Sequence, residues 1–244
     1  IAALPLLDTQ PAETSSYIVQ GWDLADVKTR VAAEGGEISH ELGVIRAVAA
    51  ELTLAQVGKL RGDDRIRRIY GNAVVESAGK PVKDGGGKSG SGDSGDRGDS
   101  ADGSTEGGAA GSSYTEFPSL VDADVLHDQG IDGWGVTIAV VDSGIYSGPG
   151  ITSDRYGMTR IKAAYDATTD TLYNSTGKGK TDFEEFDNDD TGHGSPVAGV
   201  MSTCKLSEVV NYNGIAPAAT LLSVKVFDAE GRGSYADVIR GIDW

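Results

Sequence analysis

Residues 79–113, GKPVKDGGGKSGSGDSGDRGDSADGSTEGGAAGSS, constrain the fold more than any other stretch. More than half of them are Gly or Ser, and almost none is suited to burial. Such a segment cannot bury enough apolar surface to offset its ordering entropy, so it predicts a flexible tether. It divides the chain into a front module, 15–78, and a back module, 114–244, with a leader or signal remnant over 1–14.

The 244 residues are 39% hydrophobic, which suffices for two modest cores. Lys and Arg number 21 against 37 Asp and Glu, for a formal net charge of -16. That balance argues against nucleic acid as a partner, because a phosphate-binding face needs clustered cations. The single cysteine, Cys204, excludes an internal disulfide and a multi-cysteine metal site, and is expected to pack as a small apolar side chain. No apolar run reaches the roughly 18 residues of a membrane span. The opening IAALPLL is either the tail of a signal peptide's apolar region or an ordinary apolar stretch, and seven residues do not distinguish the two.

In the front module, SYIVQ predicts a strand. DLADVKTRVAAEGG predicts a helix, with Asp23 as cap, Leu24, Val27 and Val31 on one face and Gly35 as stop. EISHEL and VIRAVAA follow as strands. Thr53 and Gln56 have the spacing of a capping box, opening a helix with Leu54, Val57 and Leu60 on one face. NAVVES closes the module as a strand, giving the order β-α-β-β-α-β of a small α+β, ferredoxin-like sandwich.

In the back module, FPSLVDADVLHDQGI predicts one short helix. GVTIAVVD predicts a central parallel strand covered on both faces, and ATLLSVKVF a second buried strand. The last helix follows a Ser234 cap, with Tyr235, Val238, Ile239 and Ile242 on one face. Strands alternating with helices predict an α/β fold built on a doubly wound parallel sheet.

Asp142 ends the first of these strands, ahead of Ser143 and Gly144. Sites in open α/β sheets form outside the carboxyl ends of strands, although Asp-Ser-Gly is also good turn chemistry. The Asp-Ser/Thr-Gly loop of aspartic proteases is a rival reading. It fits less well, because Ile145 follows the glycine where Ser or Thr is usual. In DDTGHGSPVAGV, residues 189–200, His193 stands between Gly192 and Gly194. Pro196 suits the first turn of a helix starting near Ser195, and Gly199 would let that helix lie close to the sheet. His193 is either a capping residue or a base whose second ring nitrogen is held by Asp142. His40 and His127 are expected at the surface or at a module boundary.

VTIAVVDSGI, DDTGHGSPVAGV, GIAPAATLLSVKVFDAEGRGSY and GIDW together resemble the first half of a subtilisin-like serine protease domain. The front module resembles the inhibitor-type propeptide of the same family. The resemblance implies an incomplete subtilisin-like sheet and a zymogen that hydrolyses peptide bonds, with protein or peptide as substrate. It implies Asp142 as the relay aspartate and His193 as the general base. Gly231, Arg232 and Gly233 match the strand that pairs with substrate backbone, with the glycines keeping that path clear. Tyr235 matches a position lining a distal substrate pocket. The front module would dock on the catalytic domain as its own propeptide, with Val74 to Ala78 reaching the cleft. An alternative is an inactive protein whose front module acts as inhibitor or chaperone.

The family's nucleophile lies in a Gly-Thr-Ser block, which these residues lack. Ser143 and Ser195 belong to the aspartate and histidine blocks and are no substitutes. The chain is therefore expected to be an N-terminal fragment, inactive alone, with the serine and the oxyanion asparagine downstream. No cofactor is needed for this chemistry. Asp182, Glu184, Glu185, Asp187, Asp189 and Asp190 form either a solvated acidic loop or a structural Ca2+ site.

Overall fold

The computed structural model describes residues 12–77, 117–148, 150–174, 189–205 and 214–244. The leader over 1–11, the tether, and Asp182, Glu184, Glu185 and Asp187 lie outside the described residues.

The front module contains β1 (Thr14–Gly21), α1 (Leu24–Ala33), β2 (Glu37–Leu42), β3 (Ala47–Thr53), α2 (Leu54–Arg61) and β4 (Ile66–Gly71). Its strands form an antiparallel sheet in the order β2-β3-β1-β4. The Asp23 carboxylate accepts from the N–H groups of Ala25 and Asp26, which opens α1, and Gly35 takes φ +77° just past its end. The capping box of α2 forms as expected, with Gln56 Oε1 2.7 Å from the Thr53 nitrogen. Val57 and Leu60 are buried, but Leu54 is 79% exposed. It lies about a third of a turn from Leu60 around the helix axis, beyond the buried stripe.

β1 shows the alternation that places this module. Val19 packs under α1 and α2 with Val27, Val31, Val48 and Leu60. Its neighbour Ile18 points to the opposite face, where Leu42, Ala47 and Ala49 meet Ala236 of the back module. The sheet is thus covered on both faces, by its own helices and by the last helix of the chain.

The back module contains α3 (Phe117–Leu120), α4 (Ala123–Asp128), β6 (Thr137–Asp142), β7 (Ile161–Asp166), β8 (Thr171–Asn174), α5 (Gly194–Ser202), β9 (Thr220–Lys225), β10 (Arg232–Ser234) and α6 (Tyr235–Asp243). The sheet order is β6-β9-β7-β8, parallel except for β8.

Five expectations are corrected here. The single helix over 117–131 is two helices, because Asp122 takes the left-handed conformation with φ 56°. β6 is an edge strand among the described residues rather than the sheet's centre, and its Thr137 and Ala139 are exposed. The central strand is β9, whose Leu221, Ser223 and Val224 are buried. The region after Asp142, for which the sequence predicts no regular element, supplies β7 and β8. IKAAYD is too short and small-sided to signal a strand, and it is buried by lying between two neighbours. On α6, Ser234 caps as expected, but Ala236 and Gly241 are its buried residues while Tyr235 and Ile242 stay exposed.

The fifth correction concerns NAVVES. β4 closes the front sheet, and Val74–Glu76 forms a separate strand, β5. β5 pairs antiparallel with β10 of the back module, with Val74 opposite Ser234, Val75 opposite Gly233 and Glu76 opposite Arg232. Asn72 makes the turn between the two sheets. Its N–H donates to the Ser16 carbonyl at 3.0 Å, and its side-chain oxygen accepts the N–H of Ala236 at 2.9 Å.

The modules also meet through polar groups. His40 is at a boundary, with Nε2 2.9 Å from Asp237 Oδ1 on α6. The Asp243 carboxylate accepts from the N–H groups of Gly43 and Val44, and Arg240 donates to the Ser39 carbonyl. His127 reaches the Ile215 carbonyl at 2.8 Å. Cys204 is half-buried, with Sγ 3.2 Å from the Ser153 carbonyl.

Candidate active site

β6 delivers Asp142 at its carboxyl end, and α5 delivers His193 as its N-cap residue. The α5 helix begins at Gly194, so Pro196 falls in the first turn, where its missing N–H leaves no helical bond unmade. The His193 side chain makes no capping hydrogen bond. Its Nδ1 instead lies 2.7 Å from Asp142 Oδ1. A carboxylate only accepts, so Nδ1 carries the proton and Nε2 presents its lone pair. The imidazole is one-third exposed (34%), so Nε2 is within reach of an incoming group.

Two glycines make that approach fit. Gly192 has φ 69°, a left-handed conformation that sets the turn before His193. A Cβ on Gly194 would stand 2.1 Å from the Gly144 carbonyl oxygen and 3.3 Å from Asp142 Cβ. The close approach expected at Gly199 is absent, since a Cβ there would meet nothing within 4 Å. Tight packing belongs to the start of α5, where the two blocks touch.

A buried polar frame holds the pair. Ser143 N–H donates to Asp142 Oδ1 at 2.7 Å. The Ser143 hydroxyl reaches Asp189 Oδ1 at 2.6 Å, and Asp189 Oδ2 accepts the N–H of Ser195 at 2.8 Å. The Ser195 hydroxyl accepts the N–H of Tyr146 at 2.8 Å. Lys225, buried at the end of β9, donates to the Ser143 carbonyl at 2.8 Å and pairs with Asp190 at 3.0 Å. Asp189, Asp190 and Lys225 were not singled out as part of this site. The available signal was the placement of both aspartates three and four residues ahead of His193.

Those contacts bear on two earlier readings. Asp189 and Asp190 are committed to Ser143, Ser195 and Lys225. Among the described residues no three His, Cys, Asp or Glu side chains are placed to hold a metal ion. Asp190-Thr191-Gly192 also repeats the Asp-Ser/Thr-Gly pattern, but Asp142 bonds His193 while Asp190 bonds Lys225, so these two carboxylates form no proton-sharing dyad.

Burial works against the charge of Asp189, but hydrogen bonds from Ser143, Ser195 and Gly194 outweigh it and hold its carboxyl below the usual range. Asp237 is lowered in the same way, its burial outweighed by His40 and Ser234. A carboxyl depressed on folding stabilises the protein above its unfolded pKa, about 3.9, and that contribution is lost as pH falls through the folded value. The Tm is therefore expected to fall below about pH 4, less steeply in Asp189→Asn. Thermal unfolding followed by circular dichroism across pH checks this, and a Tm that rises on acidification contradicts it.

The expected substrate-strand residues lie beside this site. Gly231 has φ 75°, and its carbonyl accepts the N–H of Ser77 at 2.8 Å. A Cβ there would come within 3.3 Å of Thr191 Cγ2 and 3.7 Å of Ser77 Cβ. Gly233 is glycine for a different reason than clearing a peptide path. Its Cβ would stand 2.1 Å from the Val226 carbonyl oxygen, inside its own module. Arg232 is exposed on β10, opposite Glu76. Tyr235 is 51% exposed and borders a groove between α6 and the front sheet, shared with Ile18, Ile45, Tyr70 and Ile239.

Residues 133–244 match the family model described as the Subtilase family. Among curated proteins, the chain is 35% identical over 120 residues to serine protease AprX of Bacillus subtilis, covering 49% of this chain and 23% of that one. It is 28% identical over 208 residues to the thermostable alkaline protease of Halalkalibacterium halodurans, covering 85% and 42%. It is 25% identical over 220 residues to subtilisin E of Bacillus subtilis, covering 90% and 44%. The chain thus spans less than half the length of these relatives. Among solved structures, it resembles fervidolysin from Fervidobacterium pennivorans, described as a keratinolytic enzyme related to subtilisin. That match has a TM-score of 0.57 and 20% identity, over 98% of this chain and 35% of that one. The epidermin leader peptide processing protease EpiP from Staphylococcus aureus gives a TM-score of 0.54 at 14% identity, over 95% and 46%. Residues 133–244 thus match the subtilase family, and the chain has a subtilisin-like fold.

Proposed function

We propose that Asp142 and His193 are the acid–base pair of a secreted serine endopeptidase made as a zymogen, whose nucleophilic serine lies outside these 244 residues. The 2.7 Å contact between His193 Nδ1 and Asp142 Oδ1 carries this reading. In the reaction, Nε2 takes the proton of the serine hydroxyl as its oxygen attacks the peptide carbonyl. Asp142 stabilises the imidazolium that forms. His193 then gives the proton to the leaving amine, and water, activated by the same nitrogen, releases the acyl group. None of these steps needs a cofactor. Ca2+ binding in the acidic run ahead of His193 would be structural.

The substrate is a protein segment bound as an added strand on β10, where main-chain bonds give affinity. In the zymogen, β5 occupies that place. The pairing of Val74–Glu76 with Arg232–Ser234 supports a front module that acts as the enzyme's own inhibitor. The full-length protein is expected to separate into front and back chains by cleavage within Val74 to Ala78 or in the tether, and His193→Ala is expected to remain one chain. Mass spectrometry of the two proteins after expression reads the outcome, and equal processing of both would sink the proposal.

A further inference from the structure

The Ser143 hydroxyl stands between two carboxylates. Its Oγ is 3.1 Å from Asp142 Oδ1 and 2.6 Å from Asp189 Oδ1, and it accepts the N–H of Gly194 at 3.0 Å. Ser143 is fully buried and Asp189 is 1% exposed, so water does not compete for these atoms. A hydroxyl has one proton and donates to one acceptor. The shorter contact takes it, and that contact is to Asp189. Asp142 Oδ1 then accepts from His193 Nδ1 and from the Ser143 backbone N–H, each at 2.7 Å. The other charged groups at this corner, Asp190 and Lys225, are paired with each other at 3.0 Å.

We infer that Asp189 is a positioning residue that draws the Ser143 proton away from Asp142, so that the carboxylate facing His193 keeps its full charge. This rests on Asp142 and His193 being the acid–base pair. Asp189 touches neither residue's reacting atoms and acts through Ser143. Low local dielectric makes the direction of one buried proton count, because each such bond alters the strength of the next.

The inference fixes what Asp189→Asn does. The Ser195 N–H is a backbone donor in a set direction, so the amide oxygen must turn toward it. The amide NH2 then faces Ser143 Oγ and donates to it. With its lone pairs occupied, the hydroxyl turns its proton to Asp142, which becomes a weaker acceptor for His193.

The test is proton–nitrogen NMR of His193 in the 244-residue chain at one fixed alkaline pH, with the resonance identified by its loss in His193→Gln. The Nδ1 proton is expected to move upfield in Asp189→Asn. The same substitution made in a Ser143→Ala background is expected to leave it in place. An equal upfield shift in both backgrounds would mean simple loss of a nearby charge and would overturn the inference, as would no shift at all. If Asp189→Asn does not fold, Ser143→Ala alone decides. A hydroxyl that gives Asp142 no proton leaves the resonance unmoved when removed, whereas a downfield shift would show that it had been donating there. The NMR readout needs no turnover, so its failure is distinguishable from a failure of the peptidase assignment.

Discussion

Asp142→Ala is expected to lower kcat for the proposed peptide hydrolysis by the full-length protein on the order of 10^4-fold, the range known for removing the aspartate of such a triad, with KM little changed. Two losses add up to this. His193 Nδ1 loses its acceptor at 2.7 Å, so nothing selects the tautomer that leaves Nε2 free. The imidazolium also loses the negative charge that stabilises it as the proton moves. The proposed binding of substrate on β10 involves neither atom, which is why KM is expected to be spared. Steady-state hydrolysis of a peptide by the two proteins measures this. A loss under tenfold would mean that the pairing is structural.

Gly194→Ala is expected to destabilise the chain by about 3 kcal/mol, a Tm decrease of about 10 °C for a protein of this size. The added Cβ would stand 2.1 Å from the Gly144 oxygen and 3.2 Å from its carbonyl carbon. Both are backbone atoms and cannot rotate away, so α5 must retreat from β6 and take His193 with it. Gly199→Ala is the contrasting case, five residues further along the same helix. Its Cβ meets nothing within 4 Å, and removing glycine from a helix interior stabilises by about 0.5–1 kcal/mol. Thermal melts of the two variants should therefore move in opposite directions. Equal effects would mean that the contact between the blocks is not the tight one.

The contrast between Gly194 and Gly199 shows what the sequence could and could not reveal. Asp142 and His193 stand out because Asp142 closes a strand two residues ahead of Gly144, and His193 stands between Gly192 and Gly194 at the mouth of a helix. Asp23, Thr53 and Ser234 were legible for the same reason, since a cap bonds within three residues of itself. What was not legible depends on partners distant in the chain. Val74–Glu76 has the composition of a strand but nothing local to say which sheet it joins, and it joins one more than 150 residues away. Asp189 and Asp190 look like part of a solvated acidic run until Ser143 and Lys225 are brought against them. His40 looks like a surface residue until α6 supplies Asp237. Which of two glycines touches a neighbouring backbone is likewise a tertiary fact, invisible in either residue's flanks.

The Asp142–His193 assignment is tested most directly by labelling the full-length protein with a fluorophosphonate, which reacts with a serine only when a neighbouring base activates it. Rapid labelling of one serine in the native protein, lost in His193→Ala, is the expected result. Labelling at the same rate in His193→Ala, or none in the processed native protein, would contradict the assignment of His193 as the base.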